Sequence, residues 1–158
     1  MRRIFLAASV ALAVTVAAGV AMAAGHSGSS KQTSNALVIH VIEHATTDAV
    51  TNHAGLASDS VGDVLTFTNE VFNQADTKHA GHDQGYCIRM TVGKAWECNW
   101  TTILAGGQIT VEGPFYDTRD SRLAITGGTK GYSGASGWMQ LKSRAGGTKY
   151  DFIFHLGS

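Results

Sequence analysis

The segment Asp120-Ser121-Arg122-Leu123-Ala124-Ile125-Thr126-Gly127-Gly128-Thr129 contains a run of strand composition, Ser121–Thr126, cut off by paired glycines. The same unit recurs on both sides of it. Upstream, the runs 36–44, 62–72, 84–91, 95–104 and 108–112 have strand composition, and downstream so do 136–142 and 149–156. Gly, Asn and Asp separate them, and no window carries a capped helical stripe. The nineteen glycines and single proline suit tight turns. Eight strands with hairpin-length links predict an all-β, antiparallel meander, and closing it into a barrel removes the exposed edges. Leu65, Phe67 and Val71 stand beside Val64, so apolar residues occur on both parities of one strand. A closed barrel with a neighbouring subunit outside accounts for that. An eight-stranded barrel has room for packed side chains or one small ligand.

The two cysteines test the pairing by arithmetic. Val92-Gly93 is the midpoint between Cys87 and Cys98, and a tight turn there sets the two directly opposite each other. A cross-strand disulfide and two buried thiols both fit that placement.

The chain ends give its class. Arg2 and Arg3 precede an apolar run from Ile4 to Val20, which ends at the small residues Ala21-Met22-Ala23. This has the form of a signal peptide over residues 1–23, followed by a Gly/Ser-rich flexible leader over 24–35 and a barrel domain over 36–158. The run is also near the length of a membrane anchor, but the small-residue site favours cleavage and a secreted or periplasmic product. Cleavage removes Arg2 and Arg3 and no acid, taking the net charge from +0 to −2. That excludes a basic nucleic-acid-binding surface, and no later segment is apolar and long enough to span a bilayer.

The strand motifs also carry a resemblance. Val61-Gly62-Asp63 leading to Phe67-Thr68-Asn69 resembles the "VGD…FTN" of allene oxide cyclases. Gly107 to Phe115 is similar to that family's "GxLSVQGPY", and Asp120 to Gly128 to its "DSFLAITGG". Gly134–Gly137 and the final run Tyr150–Leu156 continue the match, so the resemblance spans about two-thirds of the chain. The related dirigent proteins have a "VVGGTG" similar to Ile125–Gly131. The resemblance implies an eight-stranded barrel, a homotrimer, no cofactor, no metal and a reactive hydrophobic small molecule. The protein would contribute orientation and exclusion of water.

The resemblance also assigns residues. Asn69 matches an Asn that holds a water at the substrate oxygen, and if it points inward, alternation sends Leu65 and Phe67 inward as pocket wall. Closing a turn at the strand end is the other role open to Asn69. Cys87 matches a pocket Cys, and Trp96 a pocket Phe. Trp96, Cys98 and Trp100 share one parity, and together with Phe115 they would extend the wall. The family's acid on the first strand falls on Glu43 or, in another alignment, on His40. These have opposite parity, so without a bulge only one faces inward. Glu43 suits stabilisation of developing positive charge, and His40 suits proton transfer. The Ser-Pro pair that follows this strand in the family is absent.

Asp76, His79, His82 and Asp83 have metal-ligand chemistry but no further ligand set, which favours a solvated hairpin loop. Asn99-Trp100-Thr101 is a sequon placed mid-strand, and the glycines of 127–137 read as a barrel corner, not a phosphate loop. Three functions remain: an isomerase-like cyclase or dirigent-like guide of coupling, a carrier of an apolar molecule, and a structural barrel. An inward acid beside Asn69 would favour the first.

Overall fold

A computed structural model describes residues 37–157 apart from 54, 56 and 57. The signal peptide at 1–23 and the leader at 24–35 lie outside the described residues. Nine strands form: β1 (Leu37–His44), β2 (Ala49–Thr51), β3 (Val64–Asn73), β4 (His79–Thr91), β5 (Ala95–Leu104), β6 (Gly107–Tyr116), β7 (Ser121–Gly128), β8 (Ser136–Arg144) and β9 (Lys149–Gly157). From β3 to β9 each strand pairs antiparallel with the next. β1 lies between β9 and β3 and closes the eight-stranded barrel. All eight expected strands are present. The ninth, β2, is a short continuation of β1 after a break at residues 45–48, and it pairs Ala49–Thr51 with Thr66–Val64.

Alternation divides each strand between core and surface. Val41, Val71, Trp100, Val111, Leu123, Met139, Phe152 and Phe154 belong to one continuous buried cluster inside the barrel. On the outer face, Tyr86, Ile88, Met90 and Val92 leave an exposed apolar ridge along β4. Phe72 of β3 stands opposite Ile42 of β1 and stacks on His44. The β3–β4 turn bends back over this face, where Asp76 bonds to both His44 and Lys149.

The β4–β5 hairpin turns at Val92-Gly93 as the arithmetic requires, with Gly93 at φ 64°. A bulge between Arg89 and Thr91 takes up one residue, and Cys87 faces Cys98 in a disulfide with Cα atoms 4.0 Å apart. The Val61-Gly62-Asp63 motif has a local cause. Asp63 is fully buried and accepts from His53 N, Ser60 N, Ser60 Oγ and Asn52 Nδ2, which ties down the loop before β3. Burial opposes ionisation of Asp63, yet these hydrogen bonds hold its carboxyl below the usual range.

Two expectations are corrected. His79–Asp83 is not a solvated loop but the first part of β4, because the strand continues past Gln84 to pair with β3 and β5. At the barrel corner between β7 and β8 the chain makes a short 3-10 turn, Lys130–Tyr132. The β6 strand runs to Tyr116, four residues beyond Glu112, through Pro114.

Gly85 permits a close approach in the wall beside the pocket. A Cβ there would lie 2.2 Å from Trp100 Cβ and 2.5 Å from the Asn99 carbonyl oxygen. Overpacking of this kind costs about 1–3 kcal/mol, so Gly85→Ala should lower unfolding free energy in denaturant by at least that amount.

Candidate functional site

Strand parity brings Glu43, Leu65, Phe67, Cys87, Cys98, Trp100, Phe115 and Phe152 to one end of the barrel interior. They surround a pocket of about 40 Å³. A water molecule needs roughly 10–15 Å³ by the same measure, so the pocket as it stands holds a few waters. Phe115, Leu141 and Tyr150 also line a wider vestibule of about 570 Å³ between the β6–β7 and β8–β9 loops. The Phe115 and Tyr150 rings meet edge-on at 5.8 Å where the two spaces join. Further in, the indole of Trp100 lies 5.5 Å from Phe152 and 6.1 Å from Phe67, centroid to centroid.

The polar part of the pocket is organised by Asn69, which is 1% exposed. The break after β1 exposes backbone donors, and the Asn69 Oδ1 accepts from Thr46 N, Thr47 N and Thr47 Oγ1, each at 3.0 Å. Its Nδ2 donates to Glu43 Oε1 at 2.9 Å and to Asp48 Oδ1 at 2.8 Å. The Asn69 backbone N–H donates to Asp83 Oδ1 at 3.2 Å. Asn69 therefore does both things considered for it: it faces the interior, and it closes the gap beside its strand. Leu65 and Phe67 follow it inward, as alternation requires.

Glu43 and Asp83 thus share one apolar interior, and Asp48, exposed on the break after β1, lies at its edge. Burial, the Asp83 charge and the nearby Asp48 push the Glu43 carboxyl well above the usual range, against the lowering effect of Asn69. Burial is also the main cause that pushes Asp83 up to about 7. Glu43 and Asp83 each influence the other's ionisation, and Asp83 Oδ2 is buried without a hydrogen-bond partner among the described residues. Two acids coupled in an apolar interior resist being ionised together. Trp100 Nε1 and Thr102 Oγ1 are the other buried polar atoms left without a partner among the described residues.

Of the two candidates on β1, Glu43 faces inward. His40 lies on the outer face, bonded to Asp151 Oδ1 at 2.7 Å, because the strand carries no bulge between them. Trp96 faces inward but does not line the pocket. The guanidinium of Arg89 covers its ring at 3.9 Å, and Arg89 is itself held by Asp59 and Asp117. Cys87 and Cys98 form wall as a disulfide, so neither presents a thiol.

Asp76, His79 and Asp83 bond to different partners: Asp76 to His44 and Lys149, His79 to Glu70, and Asp83 to the interior. Among the described residues no group of three or more His, Cys, Asp or Glu converges as a metal site. Sequence reasoning did not place Asp48, Asp83 or Tyr150 at the pocket, although it considered Asp83 as a metal ligand. Asp83 shares parity with Cys87, and Tyr150 with Phe152, so the same alternation rule identifies both.

An allene oxide cyclase family model matches residues 29–158. The chain belongs to the allene oxide cyclase family. Its match begins inside the stretch read as a leader. Among solved structures, a pyocyanin demethylase is similar with a TM-score of 0.64 at 24% identity, covering 75% of this chain and 100% of that one. An exo-specific intermolecular Diels-Alderase gives 0.63 at 13% identity, covering 78% and 98%. A pterocarpan synthase dirigent protein gives 0.60 at 17%, covering 75% and 87%. At these identities the likeness is one of fold.

The acid pair of this allene oxide cyclase family member makes its stability pH-dependent. Both carboxyls hold protons more tightly folded than unfolded. For Asp83 this contribution is complete below about pH 4 and is lost as pH rises through about 7, and for Glu43 it is lost in the same direction. For Asp83 the loss is on the order of 4 kcal/mol. Asp83→Asn keeps an acceptor for Asn69 N–H, and denaturant titrations should show a flatter decline between pH 4 and pH 8 than in the wild type.

Proposed function

We propose that the protein is an exported barrel that admits a hydrophobic small molecule through the vestibule and steers its cofactor-free, stereoselective cyclisation or coupling. The observation that carries this reading is the Glu43 carboxyl beside Asn69 at the base of a pocket walled by aromatic rings. A molecule that is already reactive needs little chemistry from the protein. It needs one conformer, a dry site and a charge in the right place.

Glu43 supplies the charge and can hold or release a proton, and Asn69 fixes its position. Phe67, Trp100 and Phe152 exclude water. The inner pocket accommodates the reacting part of the guest, and the vestibule takes the remainder, giving the two together the volume of an ordinary small-molecule site. The names of two similar structures, a Diels-Alderase and a pterocarpan synthase dirigent protein, are in keeping with stereocontrolled bond formation on this fold.

The basic start, apolar run and Ala21-Met22-Ala23 support export, as does a disulfide that persists in oxidising compartments. The exposed ridge Tyr86, Ile88, Met90 and Val92 supports a homotrimer covered at that face. A single observation favours another reading, a structural barrel: the inner pocket of about 40 Å³ is small until Phe115 and Tyr150 part.

Reactive phenolics and unsaturated epoxides, incubated with the exported protein, should give cyclised or coupled products in enantiomeric excess. Glu43→Gln should lower that excess at least about tenfold while still melting cooperatively. Racemic products from the wild type with every precursor would overturn the reading, and retained stereoselectivity in Glu43→Gln would remove Glu43 from it. Native mass spectrometry should show three chains; a single-chain mass would refute the trimer.

A further inference from the structure

Register places Tyr150 of β9 directly opposite Glu43 of β1, so both side chains leave the wall on its inner face. From there they diverge. The Glu43 carboxyl turns to Asn69, whose Nδ2 donates to it at 2.9 Å. The Tyr150 ring packs edge-on against Phe115, and its hydroxyl lies near the β8–β9 loop, where a Cβ added to Gly147 would stand 3.4 Å from the oxygen. Three residues, Phe115, Leu141 and Tyr150, line both the inner pocket and the vestibule. Tyr150 is the one among them with a polar side-chain atom, so a phenol stands in the throat between the two spaces.

No acid beside that phenol engages it. Glu43, Asp48 and Asp117 act on it through their charge, and none of them accepts its proton in a hydrogen bond. Burial first, and then these three acids, hold the hydroxyl protonated above the usual tyrosine range, so it stays a donor while the acids titrate. The other polar groups of the inner pocket are occupied. Glu43 and Asp48 both accept from Asn69 Nδ2, Cys87 and Cys98 are joined, and Trp100 Nε1 is buried out of reach. A guest that spans pocket and vestibule must pass Tyr150 with one of its atoms. Carbon there would desolvate the hydroxyl and leave it unpaired, at a cost larger than the net gain from a hydrogen bond that is made. An acceptor there removes that cost.

We propose that Tyr150 selects and orients the guest: its hydroxyl donates to a neutral oxygen of the carbonyl class, carried where the reacting part of the molecule joins the remainder. This rests on the small-molecule reading above and adds the functional group the molecule must present. The bond fixes how deep the guest sits, and it brings the atoms beside the carbonyl into the space that Glu43 borders. It also draws electron density toward the oxygen, which eases proton gain or loss at those atoms.

Two probes of one shape test this: 2-acetylnaphthalene and 2-isopropenylnaphthalene, in which a methylene replaces the carbonyl oxygen. Each is titrated by calorimetry into the folded wild type and into Tyr150→Phe, which keeps the ring against Phe115. The variant should bind the ketone about tenfold more weakly and the alkene within about twofold of the wild type. The carbonyl stretch of bound ketone, isolated by carbon-13 labelling, should lie lower in the wild type than in the variant. Replacement of Tyr150 by 3-fluorotyrosine, a stronger donor of nearly the same size, should lower it further and keeps the test open should Tyr150→Phe fail to fold. Equal loss of both probes in the variant, no loss of either, or a stretch that ignores both replacements would overturn the role of Tyr150 while leaving ligand binding in place. Failure of both probes to bind the wild type would overturn the ligand-binding reading itself.

Discussion

The side-chain carboxamide of Asn69 is the interaction on which both the barrel and its pocket depend. The first strand breaks at residues 45–48, and a break in a closed sheet leaves backbone donors facing no partner. One carbonyl oxygen accepts from three donors of that break, while the amide nitrogen of the same group holds Glu43 and Asp48. All the ordinary valences of a buried carboxamide are used, which is the condition under which burying one is not costly. Closure of the cylinder and placement of its acids are thus one structural event.

The acids in turn work against stability. Glu43 and Asp83 lie side by side in an interior otherwise made of Val, Leu, Trp and Phe, and burial drives both toward the protonated form. A barrel selected for stability alone would carry apolar residues at such positions. Unsatisfied polar atoms on Asp83 and Trp100 add to the cost in the same region. Elsewhere in the interior Ile109, Met139 and Phe154 are fully buried, with Thr102 Oγ1 the one unpartnered polar side-chain atom beside Ile109 among the described residues. Polar groups that cost stability thus cluster at the end of the barrel where the candidate site lies.

The outer face holds a different set of polar pairs. His40 with Asp151, His44 with Asp76 and His79 with Glu70 fasten neighbouring strands from outside. Histidines that look chemical in isolation are here links between strands, and the acid without such a link is the one inside. The disulfide has a comparable mixed position: it staples β4 to β5 and also forms bare wall in the pocket.

Much of this was legible in the residues. Strand composition interrupted by glycine specified eight strands, because turn chemistry and alternation are local. The Cys87–Cys98 register followed from the Val92-Gly93 turn, because hairpin arithmetic is local too. Placing Asn69 inward carried Leu65 and Phe67 with it. Other features depended on closure. Whether Glu43 or His40 faced inward turned on a bulge that sequence cannot reveal. Asp83 has loop-like neighbours in the sequence, and only the extension of β4 across both neighbouring strands turns it inward. Trp96 shares the parity of the pocket wall, but Arg89, anchored by residues 30 and 28 positions away, covers it. The sequence by itself determined the strands, the turns and their order, all set by contacts between near neighbours. Only the tertiary structure decided which acids met, which aromatic rings stayed open and how much space lay between them, because those depend on strands brought together around the circumference of the barrel.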